Sequence, residues 1–485
     1  METRSSIPTP REGESAAERA VFWPAMMRWL MVDRGVAFAS AARLWQFGAG
    51  VVSLYFVACF FSPELQGFYY AFASLLSSQM FFDLGLGSVL TLVASHEWGN
   101  ARRPGGPDSD LARRRLGELA RHARRWYRWC ALLFAGVLLP SGLVFFATES
   151  PVAFDWRGPW VAGVAVSAVN FLLIPSFAIL EGCNRVAAVQ CCRLASGVLG
   201  SLVVWTCVAT GCGLWTIVAS CAVRLAVESA VVVAGHASFF RSFDRSVLPN
   251  EPSLSWRREL LPLQWRIAAQ NLVGYVAQQA FTPIVFKYHG ATLGGRMGMT
   301  WSAVTAIQSA AAAWIHTRVP QWGRLISEGG TVAARSLLRR ALGVALAVHA
   351  AGGLALLALI AALQSHWPAL GDRLLPPGTA VLLVAGACAS LAAYGLGVFV
   401  RLHKIDPFLR QSVTCHALTG LLVWQLGAAF GPVGTAWGHL GVAVLVTLPW
   451  TWLIYRETVA LARSAIMASS SNENSATAVR MSCSR

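Results

Sequence analysis

Charged residues are scarce in this sequence, and lysine is almost missing. Asp, Glu, Lys and Arg together make up 13% of the 485 residues, which is about half of their share in a typical soluble domain. The two lysines, Lys287 and Lys404, do not lie in a GxxxxGK[ST] motif. The sequence therefore predicts no ATP-binding P-loop, and we expect no ATP among its partners.

Motifs that carry metal or catalytic chemistry are missing as well. The sequence contains no CxxC, HExxH or GxSxG motif. Its eleven cysteines fall mostly in or beside apolar runs, where a cysteine behaves as a small hydrophobic residue. We therefore predict neither a metal site nor a disulfide framework, and no cofactor.

Apolar residues, by contrast, are abundant: they make up 55% of the chain, and the mean hydropathy is +0.53. Many runs reach the roughly 18 to 25 residues that a membrane-spanning helix needs. This pattern predicts an all-α polytopic membrane protein with about twelve transmembrane helices. The predicted spans are 38–60, 67–94, 129–147, 159–180, 187–209, 213–238, 265–287, 294–317, 341–363, 378–400, 410–429 and 434–455.

Basic residues are distributed unequally between alternate loops. One set of loops holds most of the arginines, and the opposite set holds only Arg157, Lys287, Arg296 and Arg373. By the positive-inside rule the arginine-rich set is cytoplasmic, so both termini are predicted to be inside. The net charge of +16 then reflects topology and contacts with membrane lipids. No aromatic-interleaved basic face accompanies it, which argues against nucleic acid as a partner.

The spans divide into two halves of six helices with the same orientation. The stretches AARLWQFG from Ala41 and AAQNLVGY from Ala268 show a weak similarity between the two halves. Two such lobes are a common transporter construction. The predicted order is a cytoplasmic leader with an interfacial or solvated segment (1–37), an N-terminal six-helix lobe (38–238), a cytoplasmic linker (239–264), a C-terminal six-helix lobe (265–455) and a disordered cytoplasmic tail (456–485).

Charged residues inside the spans are few, and a charge that faces lipid costs about 2.5 kcal/mol or more. Arg43 lies near the inner end of span 1, with Gln46 on the same helix face, and Asp83 lies toward the inner end of span 2. Their similar depth predicts an Arg43–Asp83 pair. Either this pair is purely structural, or both residues line a central cavity.

Further polar residues occur in spans 6 to 8. Arg224 and Glu228 are four residues apart in span 6, either as a local pair or as part of a substrate path. The amides of span 7 either join neighbouring helices or line a polar path for hydroxyl-rich ligands. The predicted substrate-path residues are Arg43, Gln46, Arg224, Gln270, Asn271, Gln278, Arg296 and Gln308.

Two long blocks of the sequence resemble a known group of proteins. They are SPELQGFYYAFASLLSSQMFFDLGLGSVLTLVASHE, from Ser62, and QWRIAAQNLVGYVAQQAFTPIVFKYHGATLGGRMGMTWSAVTAIQSAAAAWIHTRVPQWGRLI, from Gln264. They resemble bacterial polysaccharide-biosynthesis membrane proteins of the oligosaccharide-flippase type, within the multidrug, oligosaccharidyl-lipid and polysaccharide exporter superfamily. The family's twelve-span plan, with both termini inside, covers nearly the whole chain.

The resemblance implies two six-helix lobes that rock between inward-open and outward-open states. The implied cargo is a polyprenyl-diphosphate-linked oligosaccharide, moved from the cytoplasmic to the periplasmic leaflet of the bacterial inner membrane for O-antigen, capsule or exopolysaccharide synthesis. Cavities in the family tend to be cationic, and Arg43, Arg224 and Arg296 are the matching kind of residue. An ion gradient often drives transport in the superfamily, which makes Asp83 the expected proton or sodium site.

Three other interpretations stay open. A drug or cation exporter of the same superfamily would need a more acidic or aromatic cavity, whereas the charges inside these spans are mainly positive. A membrane polymerase or glycosyltransferase would use acidic residues in the outer loops, such as Glu149 or Asp155, although those loops are short. The third is a non-transporting partner of polysaccharide assembly. The arginine-rich loop after span 2 either contacts assembly enzymes or is solvated and sets the topology.

Overall fold

The computed structural model describes residues 34–102, 109–149, 152–244, 260–328, 330–403 and 407–461. Regular secondary structure within these ranges is entirely helical. Most of the leader 1–37, of the linker 239–264 and of the tail 456–485 lies outside the described residues, so those assignments remain predictions.

The N-terminal half, residues 34–244, contains helices α1 to α10 in its described parts. They are α1 Arg34–Phe60, α2 Pro63–Leu76, α3 Gln79–Asp83, α4 Leu86–Ala101, α5 Ser109–Ala147, α6 Arg157–Phe171, α7 Ile174–Gly182, α8 Val186–Ala209, α9 Trp215–Ala230 and α10 His236–Asp244. A π-helical turn, Val231–Gly235, joins α9 to α10.

The C-terminal half, residues 260–461, contains helices α11 to α18 in its described parts. They are α11 Leu261–Gln279, α12 Phe281–His289, α13 Ala291–His316, α14 Val319–Ser327, α15 Thr331–His366, α16 Pro368–Gly371, α17 Pro377–Arg401 and α18 Leu409–Val442. After α18 the chain forms a π-helical turn, Ala443–Thr447, and stays helical through Leu461.

Several of these helices can cross a membrane. In the described parts of the chain, eight are long and apolar enough, and a bent pair in the second predicted span raises the number to nine. Leu409–Leu461 counts as one of the eight, although it contains a kink at Gly431. The prediction of a multi-pass helical membrane protein is therefore confirmed. The count of twelve spans and the N-in, C-in orientation remain predictions.

The second predicted span, 67–94, is broken inside. Leu84 and Gly85 adopt left-handed backbone conformations, with φ of 50° and 69°, and the helical segments before and after them differ in direction by 45°. Glycine adopts this conformation without steric cost, whereas a leucine is strained there. The expectation of one continuous helix is therefore wrong at this point, directly after Asp83.

Helix α5 is longer than the predicted span 129–147. It begins at Ser109 in the arginine-rich segment and continues for 39 residues. No glycine or proline lies near Arg128 to end a helix, so the basic segment and the apolar span form one element. An ion pair between Arg115 and Glu97, 2.9 Å apart, ties the basic part of α5 to α4.

Two glycines with positive φ make tight turns in the C-terminal half. Gly290 (φ 88°) separates α12 from α13, and Gly431 (φ 64°) divides α18 into two arms. The arms pack closely, because a Cβ on Gly434 would lie 1.9 Å from the Leu426 carbonyl oxygen. A residue with a side chain would be strained at either turn.

The two halves meet mainly at one end of the bundle. Helices pack largely within their own half, for example α1 on α8 and α11 on α18, while the largest contact between halves is α2 on α13. That contact lies at the end that carries the Gly290 and Gly431 turns. We call it the outer end, after the orientation predicted from the charges, and the opposite end, with Arg401 and Phe408, the inner end.

Candidate functional site

The outer end is closed by direct contact between α2 and α13. Gln66 is buried, and its Nε2 donates hydrogen bonds to the carbonyl oxygens of Gly295 (3.0 Å) and Arg373 (3.1 Å). Gly67 lies so close to α13 that a Cβ there would be 2.0 Å from the Ala291 carbonyl oxygen. Because no side chain fits between the two backbones, the halves touch directly here.

An aromatic cluster extends this closure. Phe286 of α12 packs against Phe68 of α2, with ring centroids 5.1 Å apart, and against Phe145 of α5 at 5.3 Å. These contacts join the C-terminal half to the N-terminal half. The structure is therefore in a state that is shut at its outer end.

A polar cavity of about 370 Å³ lies in the C-terminal half, between α11, α13, α17 and α18. Its wall includes many amides, hydroxyls and imidazoles, among them Gln278, Gln308, Tyr394, Gln411 and His416. Gln278 and Tyr394 are exposed, so the cavity is open rather than enclosed. We refer to it as the polar cavity.

A second cavity, of about 580 Å³, lies between the two halves. Its wall is mainly hydrocarbon from α2, α11, α12 and α18, with Leu75, Val273, Ile284 and Leu421 among its members. We refer to it as the apolar cavity. His416 lines both cavities, so a polar and an apolar compartment adjoin each other.

The charges that line these cavities are positive. Among the described residues, Arg401 is the only permanently charged member of the polar wall and Lys287 the only one of the apolar wall. Neither described wall includes an aspartate or a glutamate. No group of three or more His, Cys, Asp or Glu side chains within the described ranges could hold a metal ion. The pair of cavities thus suits an amphipathic molecule with an anionic group.

A cationic cluster lies at the inner end of the polar cavity. Tyr394 interacts electrostatically with Arg401 of α17 and with Arg43 of α1, and its hydroxyl is 3.0 Å from Nε2 of His316. Arg43 also interacts with His316. We call these four residues the inner cationic cluster. One arginine comes from each half, and a guanidinium can bind a phosphate through two parallel hydrogen bonds.

Asp83 lies at the break in the second span. Tyr127 of α5 donates a hydrogen bond to its Oδ1, and the backbone N–H groups of Gly85 and Gly87 donate to the same carboxylate. The carboxylate therefore satisfies N–H groups that the start of α4 leaves without intrahelical partners. Its visible structural role is to hold the two helical segments together.

The predicted Arg43–Asp83 pair is wrong. Among the ion pairs of the described residues, none includes either side chain. Arg43 faces His316 and Tyr394 of the C-terminal half, whereas Asp83 faces Tyr127. Depth in the membrane was similar, but depth alone does not determine which way two helices turn their side chains.

The structure divides the other predicted path residues. Gln278 and Gln308 line the polar cavity, and Gln308 Nε2 also donates to the Ala387 carbonyl oxygen at 3.1 Å. Gln46 is exposed on α1, one turn from Arg43, and Gln270 is half-buried on α11. The side chain of Asn271 lies outside the part of the chain that the structure describes. The predicted amides therefore do not form one continuous path: two line the polar cavity, and the others described lie outside its wall.

Two predicted arginines, Arg224 and Arg296, line neither cavity. Arg224 forms a local ion pair with the buried Glu228, with Nε and Oε1 2.8 Å apart. Arg296 lies in the first turns of α13 at the outer end, and its Nε is buried. Local neutralisation therefore accounts for Arg224, whereas Arg296 belongs to the outer contact.

Several members of these sites were not predicted from the sequence. Arg401, Gln411 and Tyr394 were not among the predicted residues, nor was Tyr127. A signal existed in α18, where Gln411 and Thr419 are eight residues apart and share a helix face. Tyr127 gave no signal, because it meets Asp83 from a distant segment of the chain.

No family model and no curated protein matches this chain. Solved membrane transporters, however, are similar to it in structure. An inward-facing multidrug resistance MATE family transporter of the MOP superfamily gives a TM-score of 0.61 at 13% identity, covering 87% of this chain and 96% of that one. The MATE multidrug transporter DinF-BH gives 0.53 at 15%, over 88% and 96%. A MOP superfamily transporter from Pyrococcus furiosus gives 0.50 at 11%, over 88% and 97%.

At these identities the likeness shows the fold alone. The chain has the helical fold of the MATE transporters of the MOP superfamily, and it is a multi-pass membrane protein. The likeness extends over most of both chains, so it concerns the whole bundle and not one motif. What the protein moves, and by what drive, has to be argued from its own residues.

Proposed function

We propose that this protein is a flippase: a transporter that moves polyprenyl-diphosphate-linked oligosaccharide from the cytoplasmic to the periplasmic leaflet of a bacterial inner membrane. The movement would supply surface polysaccharide synthesis and proceed by alternating access. The observation that carries the proposal is the pair of adjoining cavities, one polar and one apolar, that share His416 and carry cations without carboxylates in their described walls.

Such a cargo has two parts with opposite requirements. Sugars and a diphosphate cannot cross about 30 Å of hydrocarbon without polar partners, whereas a lipid tail remains soluble in the bilayer. The amides and hydroxyls of the polar cavity can accept the sugars. The apolar cavity, which lies between the halves, can accept the part of the tail next to the diphosphate.

The inner cationic cluster supports an anionic head group. Arg43 and Arg401 come from different halves, and both interact electrostatically with Tyr394. A diphosphate bound between them would contact both halves at once. Binding could therefore favour closure of the inner end, which is the event that alternating access requires after loading.

We also propose that Asp83 is the coupling site for an ion gradient. In transporters, the unwound backbone at the break of a discontinuous transmembrane helix commonly forms part of an ion-binding site. Asp83 lies at such a break, between α3 and α4, and is contacted by Tyr127. Protonation or ion binding there would change the contact between the second span and α5.

A drug or cation exporter is the second candidate function. The fold favours it, since the similar transporters include multidrug transporters. Aromatic side chains in the polar cavity also suit an organic cation: His439 lies edge-on to Phe281 and Trp301, with ring centroids 5.5 Å from each. The cationic residues Arg401 and Lys287 oppose it.

Deleting the gene in its own host is expected to strand completed lipid-linked oligosaccharide on the cytoplasmic leaflet and to remove surface polysaccharide. The wild-type copy should restore both, whereas Arg43→Gln and Arg401→Gln should not. Loss of one charge-assisted phosphate contact costs about 1.5–3 kcal/mol, which is roughly ten-fold or more in binding. The measurement is leaflet-resolved lipid-linked oligosaccharide together with surface polymer.

Arg157→Gln is the matched control. This arginine is exposed at the start of α6, lies over the Trp156 ring and lines neither cavity. It should restore surface polymer as the wild type does. If the deletion strain instead carries single repeat units on the outer leaflet that go unpolymerised, the flippase proposal is wrong and an assembly or polymerase role replaces it.

A further inference from the structure

Two arginines, Arg296 and Arg373, lie near each other at the closed outer end. Arg373, in the segment before α17, interacts electrostatically with Arg296 of α13 and with Glu64 of α2. Burial lowers the pKa of the Arg373 guanidinium, and the neighbouring Arg296 acts in the same direction. Among the described residues, no ion pair includes Arg296 or Arg373.

Hydrogen-bonding capacity is left unused at the same place. Nε of Arg296 and Nη1 of Arg373 are buried, and neither has a hydrogen-bond partner in the described part of the structure. Buried donors of this kind cost free energy until they are paired. Two adjacent guanidinium groups with free donors therefore form an arrangement that an anion would complete.

Helix α2 covers this arrangement. The Gln66 side chain donates hydrogen bonds to two carbonyl oxygens. One belongs to Gly295, which directly precedes Arg296, and the other belongs to Arg373 itself. Both arginines belong to the C-terminal half, whereas Gln66 and Glu64 belong to the N-terminal half. Movement of α2 away from α13 would thus remove both Gln66 and Glu64 from the two guanidinium groups.

We propose that Arg296 and Arg373 form a second anion-binding site, covered in this state and available to phosphate groups when the outer end opens. This inference rests on the proposed flippase function. The cargo's diphosphate would bind the inner cationic cluster first and these two arginines before release. A forked guanidinium pair suits the several oxygens of a diphosphate. The cargo's diphosphate would move from the inner cationic cluster to the two outer arginines when the inner end closes and the outer end opens.

The test is binding of inorganic pyrophosphate to the full-length purified protein by titration calorimetry. Gly67→Ala serves to open the outer end, since its Cβ would clash with α13. In that background, Arg373→Gln or Arg296→Gln should weaken binding about ten-fold or more, the loss expected for one charge-assisted contact. In the otherwise wild-type protein, where α2 covers the site, Arg373→Gln should change the affinity by less than about two-fold.

Controls keep the test decisive. Gly298→Ala is a second opening variant, because its Cβ would lie 2.4 Å from Tyr70 Cβ of α2, and Arg157→Gln is the matched outer arginine that should have no effect. Absence of the arginine dependence in both opening variants would overturn the proposal. So would an equal dependence in the closed protein.

A second probe distinguishes a site for a free anion from a site for the diphosphate of a lipid-linked molecule. Farnesyl diphosphate, a short lipid-linked diphosphate, should bind with the same arginine dependence if the site takes the cargo. If inorganic pyrophosphate binds with this arginine dependence but farnesyl diphosphate does not, the two arginines form an anion site that does not take lipid-linked cargo. If neither probe depends on Arg296 or Arg373 while the deletion strain still loses surface polymer, this inference fails and the flippase proposal stands.

Discussion

Gly67→Ala is expected to abolish transport by preventing closure of the outer end. Its Cβ would lie 2.0 Å from the Ala291 carbonyl oxygen and 2.6 Å from the carbonyl carbon, and both are backbone atoms that cannot rotate away. Overpacking of this kind costs about 3 kcal/mol, which changes the ratio of closed to open states by roughly a hundred-fold. The clash is between halves, so each half can still pack internally.

Hydrogen–deuterium exchange measured by mass spectrometry checks this prediction. Peptides from 63–76 and 291–299 should exchange faster in Gly67→Ala than in the wild type, because separation of α2 from α13 exposes them. Gly136→Ala is the control, since a Cβ there meets no atom within 4 Å. Wild-type transport and wild-type exchange in Gly67→Ala would show that the α2–α13 contact does not gate the pathway.

Asp83→Asn is expected to abolish gradient-driven transport while the fold is kept. An asparagine oxygen can still accept the hydrogen bond from Tyr127, and asparagine satisfies helix starts about as well as aspartate. The variant therefore removes the negative charge without removing the structural contact. Coupling free energies of about 1–3 kcal/mol predict a loss of roughly ten-fold or more in gradient-driven uptake.

Counterflow, measured without an ion gradient, distinguishes a loss of ion coupling from a loss of the folded pathway. Asp83→Asn should retain exchange of cargo between two equal pools, because the pathway itself is intact. Asp155→Asn is the matched control: Asp155 lies in the outer segment, where its Oδ1 accepts a hydrogen bond from the Arg157 backbone at 3.0 Å. Unchanged gradient-driven uptake in Asp83→Asn, or an equal loss of counterflow, would contradict the coupling role.

Local sequence patterns predicted the elements that depend on hydrophobicity alone. The limits of span 187–209 agree with α8, Val186–Ala209, and those of span 378–400 agree with α17, Pro377–Arg401. Length and apolarity determine such helices, because a chain in hydrocarbon must satisfy its backbone internally. The same patterns could not show where a span breaks, since Leu84 adopts a conformation that its residue type disfavours.

The candidate site was predicted only in part, for a different reason. Gln278 and Gln308 were found because amides are rare inside membrane helices, and both line the polar cavity. The partners of Arg43 could not be found, because they depend on how α1, α13 and α17 are rotated toward one another. Arg401 was counted among the cytoplasmic loop charges, and only the packing of α17 brings it to the cavity wall.

Movement of cargo by the purified protein in vesicles is the most direct test of the central claim. Lipid-linked oligosaccharide would be placed in the vesicles and its exposure on the outer leaflet followed with an enzyme that cannot cross the membrane. An ion gradient would be imposed, and efflux of a lipophilic organic cation would be measured in parallel. We predict protein-dependent movement of the lipid-linked oligosaccharide, lowered by Arg43→Gln and Arg401→Gln, and no cation efflux. Gradient-driven efflux of the organic cation, with no movement of the lipid-linked oligosaccharide, would contradict the account and establish the drug exporter in its place.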